Sequence, residues 1–383
     1  MAQPPSRQIG IAGAGLLGRL LAWQLSRAGH RVSVFDVSSG PEPVPRSQAG
    51  DPYVPTAAGF TAAGMLSPLA ELDNAEPALA AIGWRSLELW QQIAQELGRP
   101  ELVKVQGSLL VAHRSDLGAA QRVLDRMRVA TATSEWQSAS PRESVQKLDA
   151  ADLQSLEPSI QGPSHAWLLP GEGFIHTVAT MQALYAAAAG VDWHWGQGVL
   201  AVHGGEGGGT LCLLDGRTLA FDVVIDVRGA GAKAGVPVGA SRSGAETVRG
   251  VRGEVIWLDC PGHGLQRPVR LLHPRHRVYI VPRSARDIVV GASEIESEDR
   301  SPVSLRSATE LMAAAHSVVP ALAEARILKL DVNLRPALPD NNPLLEWQGC
   351  RLVMNGLFRH GWLLAPALIE QALAADGARV VRK

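Results

Sequence analysis

Cysteine is scarce. Cys212, Cys260 and Cys350 are the only three in 383 residues, and they stand far apart. They form no pair motif, so neither a disulfide framework nor a zinc site is supported, and a reducing cytoplasm is the expected setting. Net charge is almost absent: 36 Lys and Arg against 37 Asp and Glu leave −1. With no long charge block, the chain offers no electrostatic case for nucleic acid or an anionic membrane. No stretch reaches the ~20 apolar residues of a membrane span. Met1 to Arg7 is short and polar, and the apolar run behind it is not patterned as a signal segment. The glycine tract from Gly204 to Gly209 lacks the Lys-Ser/Thr of a phosphate-cradling loop and reads as a turn. His273 and His276 have no Cys, Asp or Glu in a matching pattern, so no metal is assigned. The length suits about two domains.

What is present is concentrated at the start. Ile9-Gly10-Ile11-Ala12-Gly13-Ala14-Gly15-Leu16-Leu17-Gly18 is a short strand entering a glycine turn. An apolar-periodic helix follows, with Leu21, Ala22, Leu25 and Ala28 on one face, and Gly29 closes it. Val32-Ser33-Val34-Phe35-Asp36 is the next strand. This is a βαβ unit with a dinucleotide site in its first turn. Gly13 permits the tight turn, Gly15 lets a pyrophosphate approach the backbone, and Gly18 lets helix and strand pack closely. The helix N-terminus offers free N–H groups and partial positive charge to the phosphates. Asp36 ends the second strand roughly 20 residues on, where an acid binds ribose hydroxyls. An acid there argues against a 2′-phosphate.

Further along, Ser38 to Pro55 reads as a surface loop. The small-residue run through Ala62-Ala63-Gly64-Met65 suits either close backbone approach to a ligand or a tightly packed helix start. Helices are expected over Glu76–Leu97, Asp116–Arg128, Thr177–Ala189 and Leu305–Val319. Leu156–Ile160 and Leu169–Gly173 read as turns. Val199–Arg228 reads as three short strands, the third running into Gly229-Ala230-Gly231 for another close backbone approach. Strands over Arg277–Arg283 and Asp287–Gly291 form a hairpin. Asn333-Leu334-Arg335-Pro336 leads into a loop through Pro343, and a final helix begins near Leu364 to Pro366.

Seven of these pieces, in this order, make the chain resemble the FAD-dependent D-amino-acid oxidase family, closest to its glycine oxidase branch linked to thiamin biosynthesis. They are Gly13/Gly15/Gly18 with Asp36, Ala62 to Pro68, Arg252 to Val255, Tyr279 to Arg283, Val290 to Ala292, Leu334-Arg335-Pro336, and Phe358-Arg359-His360-Gly361 before Leu364-Ala365-Pro366. The resemblance implies an α/β (α+β) fold: a Rossmann-like FAD-binding domain with an inserted antiparallel-sheet substrate domain, as in D-amino-acid oxidase and glutathione reductase. It suggests residues 1–85, 150–235 and 330–383 for the FAD domain, and 86–149 with 236–329 for the substrate cap. It implies non-covalent FAD held by Gly13, Ala14, Gly15, Leu16, Leu17, Gly18, Asp36, Ala62, Ala63, Gly64, Met65, Gly229, Gly231, Gly356, Phe358, Arg359, His360, Gly361, Trp362 and Leu363.

The implied reaction passes hydride from the amine-bearing carbon of a small amino acid or amine to the flavin. The imine then hydrolyses to keto acid and ammonia, and oxygen reoxidises the flavin to give peroxide. Arg335 matches the arginine that pairs with the substrate carboxylate, and Tyr279 a tyrosine lining the same pocket. Arg359 and His360 complete the candidate catalytic set. No general base is needed in this picture, since a neutral amine on the α-carbon loses hydride directly. Three residues depart from the pattern: His360 where glycine oxidases carry Asn, the bulky Trp362, and Arg228 where Ala or Thr is common. The alternatives are a dehydrogenase with another electron acceptor, an NAD-binding redox or regulatory protein using only the first βαβ unit, and a scaffold with structural FAD. A homo-oligomer is compatible with all of them.

Overall fold

The computed structural model describes residues 6–43, 56–73, 76–132, 144–233, 244–272 and 277–375. Two large sheets carry these residues. The first has six strands, in the order Leu344–Gln348, Arg351–Asn355, Val223–Asp226, Gln8–Ala12, Arg31–Asp36 and Asp192–Trp195. All neighbours are parallel except the edge strand Leu344–Gln348. Ile11 lies opposite Ile225 on one side and Val34 on the other. A strand covered on both faces reads as an unbroken apolar run, which is why Ile9–Ala12 and Val223–Ile225 stand out in the sequence.

The second sheet has eight strands, in the order Arg326–Ala337, Arg249–Asp259, Asp287–Gly291, Arg277–Pro282, Val269–Leu272, Ser108–Ala112, His165–Leu169 and Gln146–Leu148. It is antiparallel apart from the pair Val269–Leu272 and Ser108–Ala112. The expected hairpin is present, with Tyr279 opposite Gly291. This sheet draws on segments expected in both domains: His165–Leu169 falls within 150–235, and the end of Arg326–Ala337 within 330–383.

Several local expectations need correction. Arg335, expected only as the lead into a loop, lies near the end of the twelve-residue strand Arg326–Ala337. Pro336 suggests a turn, yet this is the edge strand, where a residue without N–H is tolerated. The first half of the strand is exposed on consecutive residues, so no period of two marks it. Val199–Arg228 holds four strands rather than three, because Thr218–Phe221 pairs back on Gly209–Leu213 before Val223–Asp226 enters the parallel sheet. Strands His165–Leu169, Gly173–Ile175 and Asp192–Trp195 lie in stretches read as turns or not assigned, as does the helix Ala150–Leu156 with its Asp149/Asp152 capping box. Most of the loop read over Ser38 to Pro55, and His273 and His276, lie outside the described residues.

The last helix runs Gly361–Ala375, so Pro366 sits inside it and not at its first turn. Proline has no N–H for the carbonyl four residues back. Here the indole Nε1 of Trp90 donates to that carbonyl, of Trp362, at 2.7 Å. A buried acceptor is thereby satisfied by a side chain of the helix Pro77–Glu96. No described helix is long and apolar enough to cross a membrane.

Candidate active site

A cavity of about 1040 Å³ is lined from both sheets and from the loops between them. Its dinucleotide end is built by the first βαβ unit, where the glycines divide their tasks. A Cβ on Gly18 would lie 1.9 Å from the Gly13 carbonyl oxygen, and one on Gly13, at φ +107°, 2.6 Å from that of Val227. These two are required by packing, and Gly18 is not among the cavity-lining residues. Gly15 differs. A Cβ there meets only Ala57 Cβ at 3.7 Å, and the residue lines the cavity. The space beside Gly15 is therefore cavity and not protein. Gly15 is also the N-cap of Leu16–Arg27, whose first turn has no acidic residue and no side-chain cap, leaving its N–H groups for an anion. Ala14 lies off the lining; its N–H donates to Asp36 Oδ2 at 2.6 Å, while Ser38 N–H donates to Oδ1 at 2.8 Å. The carboxylate is held at the cavity wall with lone pairs to spare.

The small-residue run lines the same cavity and its carbonyls are held by three groups. Thr177 Oγ1 donates to the Ala62 carbonyl at 3.0 Å, Ile175 N–H to that of Gly64 at 2.8 Å, and the buried Arg283 to those of Ala63 and Ile175. A Cβ on Gly64 would stand 2.4 Å from Ile175 oxygen. Arg283 is the last residue of the Tyr279–Arg283 landmark, so that stretch serves the site through its anchor as well as through its tyrosine. These contacts resolve the two readings of the run in favour of backbone facing a cavity.

The other end carries the charged groups. Arg335 donates from Nη1 to the carbonyls of Ser293 at 3.0 Å and Arg252 at 3.3 Å, and it contacts the Tyr279 hydroxyl. No carboxylate lies within ion-pair distance of it among the described residues. Burial pushes its pKa down, yet a guanidinium stays cationic. Burial pushes the Tyr279 phenol up, so it remains a donor. Room for the guanidinium is made by Gly253, where a Cβ would come within 2.6 Å of it. Phe358, at φ +48°, donates its N–H to the Pro336 carbonyl at 2.8 Å. That bond ties the C-terminal loop to the strand of Arg335 and brings Arg359 and His360 into the cavity.

Sequence reasoning missed Glu71, Arg270 and Glu294, all of which line this end. Glu71 Oε1 accepts from Arg270 Nη2 at 3.0 Å, and its Oε2 lies 3.6 Å from Arg359 Nε and 3.3 Å from His360 Nδ1. Arg359, His360 and Arg270 hold the Glu71 carboxyl far below the usual range despite its burial. No sequence signal singles out a glutamate three residues past Ser67-Pro68; only the fold sets it beside Arg359. The departures from the family pattern also resolve. Arg228 makes a bidentate pair with Asp226 at 2.8 and 2.9 Å and donates to the carbonyls of Val199 and Leu200, so its guanidinium braces strands while the residue lines the cavity. The indole of Trp362 packs on Trp90 and donates to Gly59 oxygen at 3.1 Å. Of the remaining residues named from the resemblance, Leu16, Leu17, Ala62, Ala63, Gly64, Met65, Gly229, Gly231, Gly356, Gly361 and Leu363 all line the cavity, and none of the three cysteines does.

An uncapped helix end, an open glycine and a backbone-held acid at one end of the cavity fit an extended dinucleotide, and a buried arginine lines the other end. The comparisons agree. Residues 8–374 match the family described as FAD dependent oxidoreductase (DAO). The chain is 36% identical over 361 residues to a Rhizobium etli protein named "Putative thiamine biosynthesis oxidoreductase ThiO", spanning 94% of this chain and 93% of that one. It is similar to the crystal structure of glycine oxidase from Geobacillus kaustophilus, at 25% identity and TM-score 0.77, covering 99% and 100% of the two chains. The iminodiacetate oxidase of Chelativorans sp. BNC1 shares the fold, with TM-score 0.74 at 23% identity over 98% and 97% of the chains. The cavity and these matches together place the chain in the family of FAD-dependent oxidoreductases.

Proposed function

We propose that this enzyme oxidises the C–N bond of a small amino acid or amine, with glycine, a D-amino acid or an N-methyl glycine as the substrate class. The observation that carries this reading is Arg335, a cation lining the cavity with backbone carbonyls and a phenol as partners and, among the described residues, no carboxylate at ion-pair distance. A substrate carboxylate supplies the missing charge, and a planar guanidinium takes it bidentately. Tyr279 adds a hydroxyl donor to the same carboxylate. The two together fix the α-carbon, and positioning of this kind is the chain's main contribution. Bound FAD supplies the hydride acceptor. The N-terminal end of Gly361–Ala375 opens on the cavity and offers positive potential to charge developing there. We assign the six-stranded sheet to the FAD body and the eight-stranded sheet to the substrate cap. FAD is held non-covalently, through the groups named above. The names of relatives, glycine oxidase and a thiamine biosynthesis oxidoreductase, support the same substrate class.

The test is an anaerobic absorbance titration of the yellow protein with glycine, sarcosine, D-alanine, D-proline and larger D-amino acids. Bleaching of the flavin band by one member is the expected result, followed by recovery and peroxide when air is admitted. A band that no member bleaches would overturn the substrate class. Bleaching without recovery in air would make the enzyme a dehydrogenase.

A further inference from the structure

We propose that Glu254 is a positioning residue for substrate binding, which acts through Ser293 and Arg252 to aim the guanidinium of Arg335. The proposal rests on the carboxylate-binding reading of Arg335 above. It gives the Arg252–Val255 landmark a task that its sequence does not show.

Arg335 is aimed by two backbone carbonyls, those of Ser293 at 3.0 Å and Arg252 at 3.3 Å. Both bonds fall on Nη1, which leaves Nη2 and Nε without a backbone partner among the described residues. Because the guanidinium is planar and rigid, anchoring one nitrogen sets the direction of the other two. That direction therefore depends on where the two carbonyls stand. Ser293 lies beyond the end of the strand Asp287–Gly291, past the last pair of its ladder with Arg249–Asp259. Its position has to be held by other means.

Glu254, fully buried, supplies them. Its Oε2 accepts from the Ser293 hydroxyl at 2.8 Å, and its own N–H donates to that hydroxyl oxygen at 3.0 Å. Ser293 N–H in turn donates to the Glu254 carbonyl at 3.3 Å. Three bonds between two residues leave the Ser293 carbonyl little freedom. The other carboxylate oxygen, Oε1, accepts from Arg252 Nε at 3.1 Å and Nη2 at 2.7 Å, and from Ser304 N–H at 3.2 Å. Arg252 also donates to the carbonyls of Asp299 and Pro302, both at 2.8 Å. One carboxylate thus holds Ser293 with one oxygen and Arg252 with the other, and these are the two residues whose carbonyls Arg335 uses.

A buried ion pair is weak evidence for stability, since desolvation offsets the attraction. Apolar side chains would fill the same space, but they would not tie a hydroxyl and a guanidinium to one point. Arg252 and Glu254 do not line the cavity, whereas Gly253 between them does. Side chains alternate across a strand, so the charged pair lies behind the sheet while the bare α-carbon of Gly253 meets the Arg335 guanidinium in front. Glu254 therefore touches no ligand and works through its neighbours.

The test is acetate binding to the FAD-loaded enzyme by calorimetry, for wild type, Ser293→Ala, Glu254→Gln and Arg335→Ala, with FAD content and melting temperature measured alongside. Ser293→Ala removes one hydrogen bond and should raise the Kd by up to about tenfold at wild-type FAD content. Glu254→Gln leaves one acceptor where two are used and should raise it by about 10–100-fold. Ser293→Ala carries the test by itself if Glu254→Gln does not fold. A merely structural role would lower FAD content and melting temperature and leave the Kd of the loaded protein at the wild-type value; that result in either variant would overturn the proposal. Coupling to Arg335 is read from the second-order rate of anaerobic flavin reduction by glycine. Ser293→Ala should slow wild type and add no further loss to Arg335→Ala, because residues acting as one unit are not additive. An equal loss in both backgrounds would overturn the proposal. Acetate binding to Arg335→Ala as tightly as to wild type would instead remove the carboxylate reading of Arg335. A loss in Arg335→Ala with none in Ser293→Ala would strike the role of Glu254 alone. The acetate constants decide even where glycine does not reduce the flavin.

Discussion

At the scale of single residues, two positions separate substrate binding from cofactor binding. Arg335 makes no ion pair among the described residues, although the charge of Glu294 reaches it, so replacing it by Ala removes a cation that a ligand carboxylate would pair with. Truncating one partner of a buried charged pair costs about 2–5 kcal/mol. Arg335→Ala should therefore raise the apparent KM for the amino acid by about 100-fold or more and leave the protein yellow. Unchanged kinetics would remove Arg335 from carboxylate binding. Gly15 makes the complementary case. Its φ of −72° is open to any residue, and its Cβ direction leads into the cavity. Gly15→Val should fold and fail to retain FAD, as read by the absorbance ratio of flavin to protein. A fully loaded Gly15→Val protein would mean that the pyrophosphate does not pass there.

Elements decide where those residues point. The strands Arg249–Asp259 and Arg326–Ala337 run side by side over eleven residue pairs, with Gly253 opposite Asn333 and Val251 opposite Arg335. The guanidinium of Arg335 lies across the bare α-carbon of Gly253. Gly253→Ala would put a methyl where the guanidinium rests, and displacing a binding group by about an ångström can cost about 100-fold. The expected result is a raised KM with FAD content preserved, resembling Arg335→Ala without touching Arg335. A normal KM would show that the arginine has another way to its partner. The helix Gly361–Ala375 shows the same logic elsewhere in the fold. Its internal proline is tolerated because an indole from a neighbouring helix replaces the missing donor.

For the whole molecule, pH couples site to stability through a residue outside the cavity. Glu172 is fully buried, accepts from Ala70 N–H at 3.0 Å and from the Ser108 hydroxyl, and supports the short helix that ends in Glu71. Burial raises its pKa from 4.5 to about 7. A carboxyl that holds its proton more tightly folded than unfolded contributes stability that is fully present below pH 4.5 and is lost as pH rises through about 7. Glu172→Gln mimics the protonated form at every pH. The melting temperature of wild type should drop relative to Glu172→Gln across that window, by a few degrees. Parallel curves would show that Glu172 titrates alike in the folded and unfolded chain.

How much of this was legible beforehand follows from the range of the interactions involved. The βαβ unit with Gly13, Gly15, Gly18 and Asp36 could be read directly, since a tight turn, a helix start and a strand end are set by neighbours in the chain. Tyr279, Arg335, Arg359 and His360 were also nameable in advance, from the order of seven short landmarks. Their setting was not. Pro336 looked like a turn until the sheet placed it on an edge strand, and Pro366 looked like a helix start until Trp90 supplied its missing hydrogen bond. Glu71 carries no local mark at all. It became part of the site because Arg270, 199 residues further on, and Arg359 and His360, near the far end of the chain, converge on one buried carboxylate. The sequence by itself determined the dinucleotide-binding βαβ unit, which depends on short-range geometry and residue chemistry, while FAD and the role of Arg335 entered through the family resemblance. Only the tertiary structure decided which charges share one buried space, because a low-dielectric interior makes partners of groups that no spacing along the chain connects.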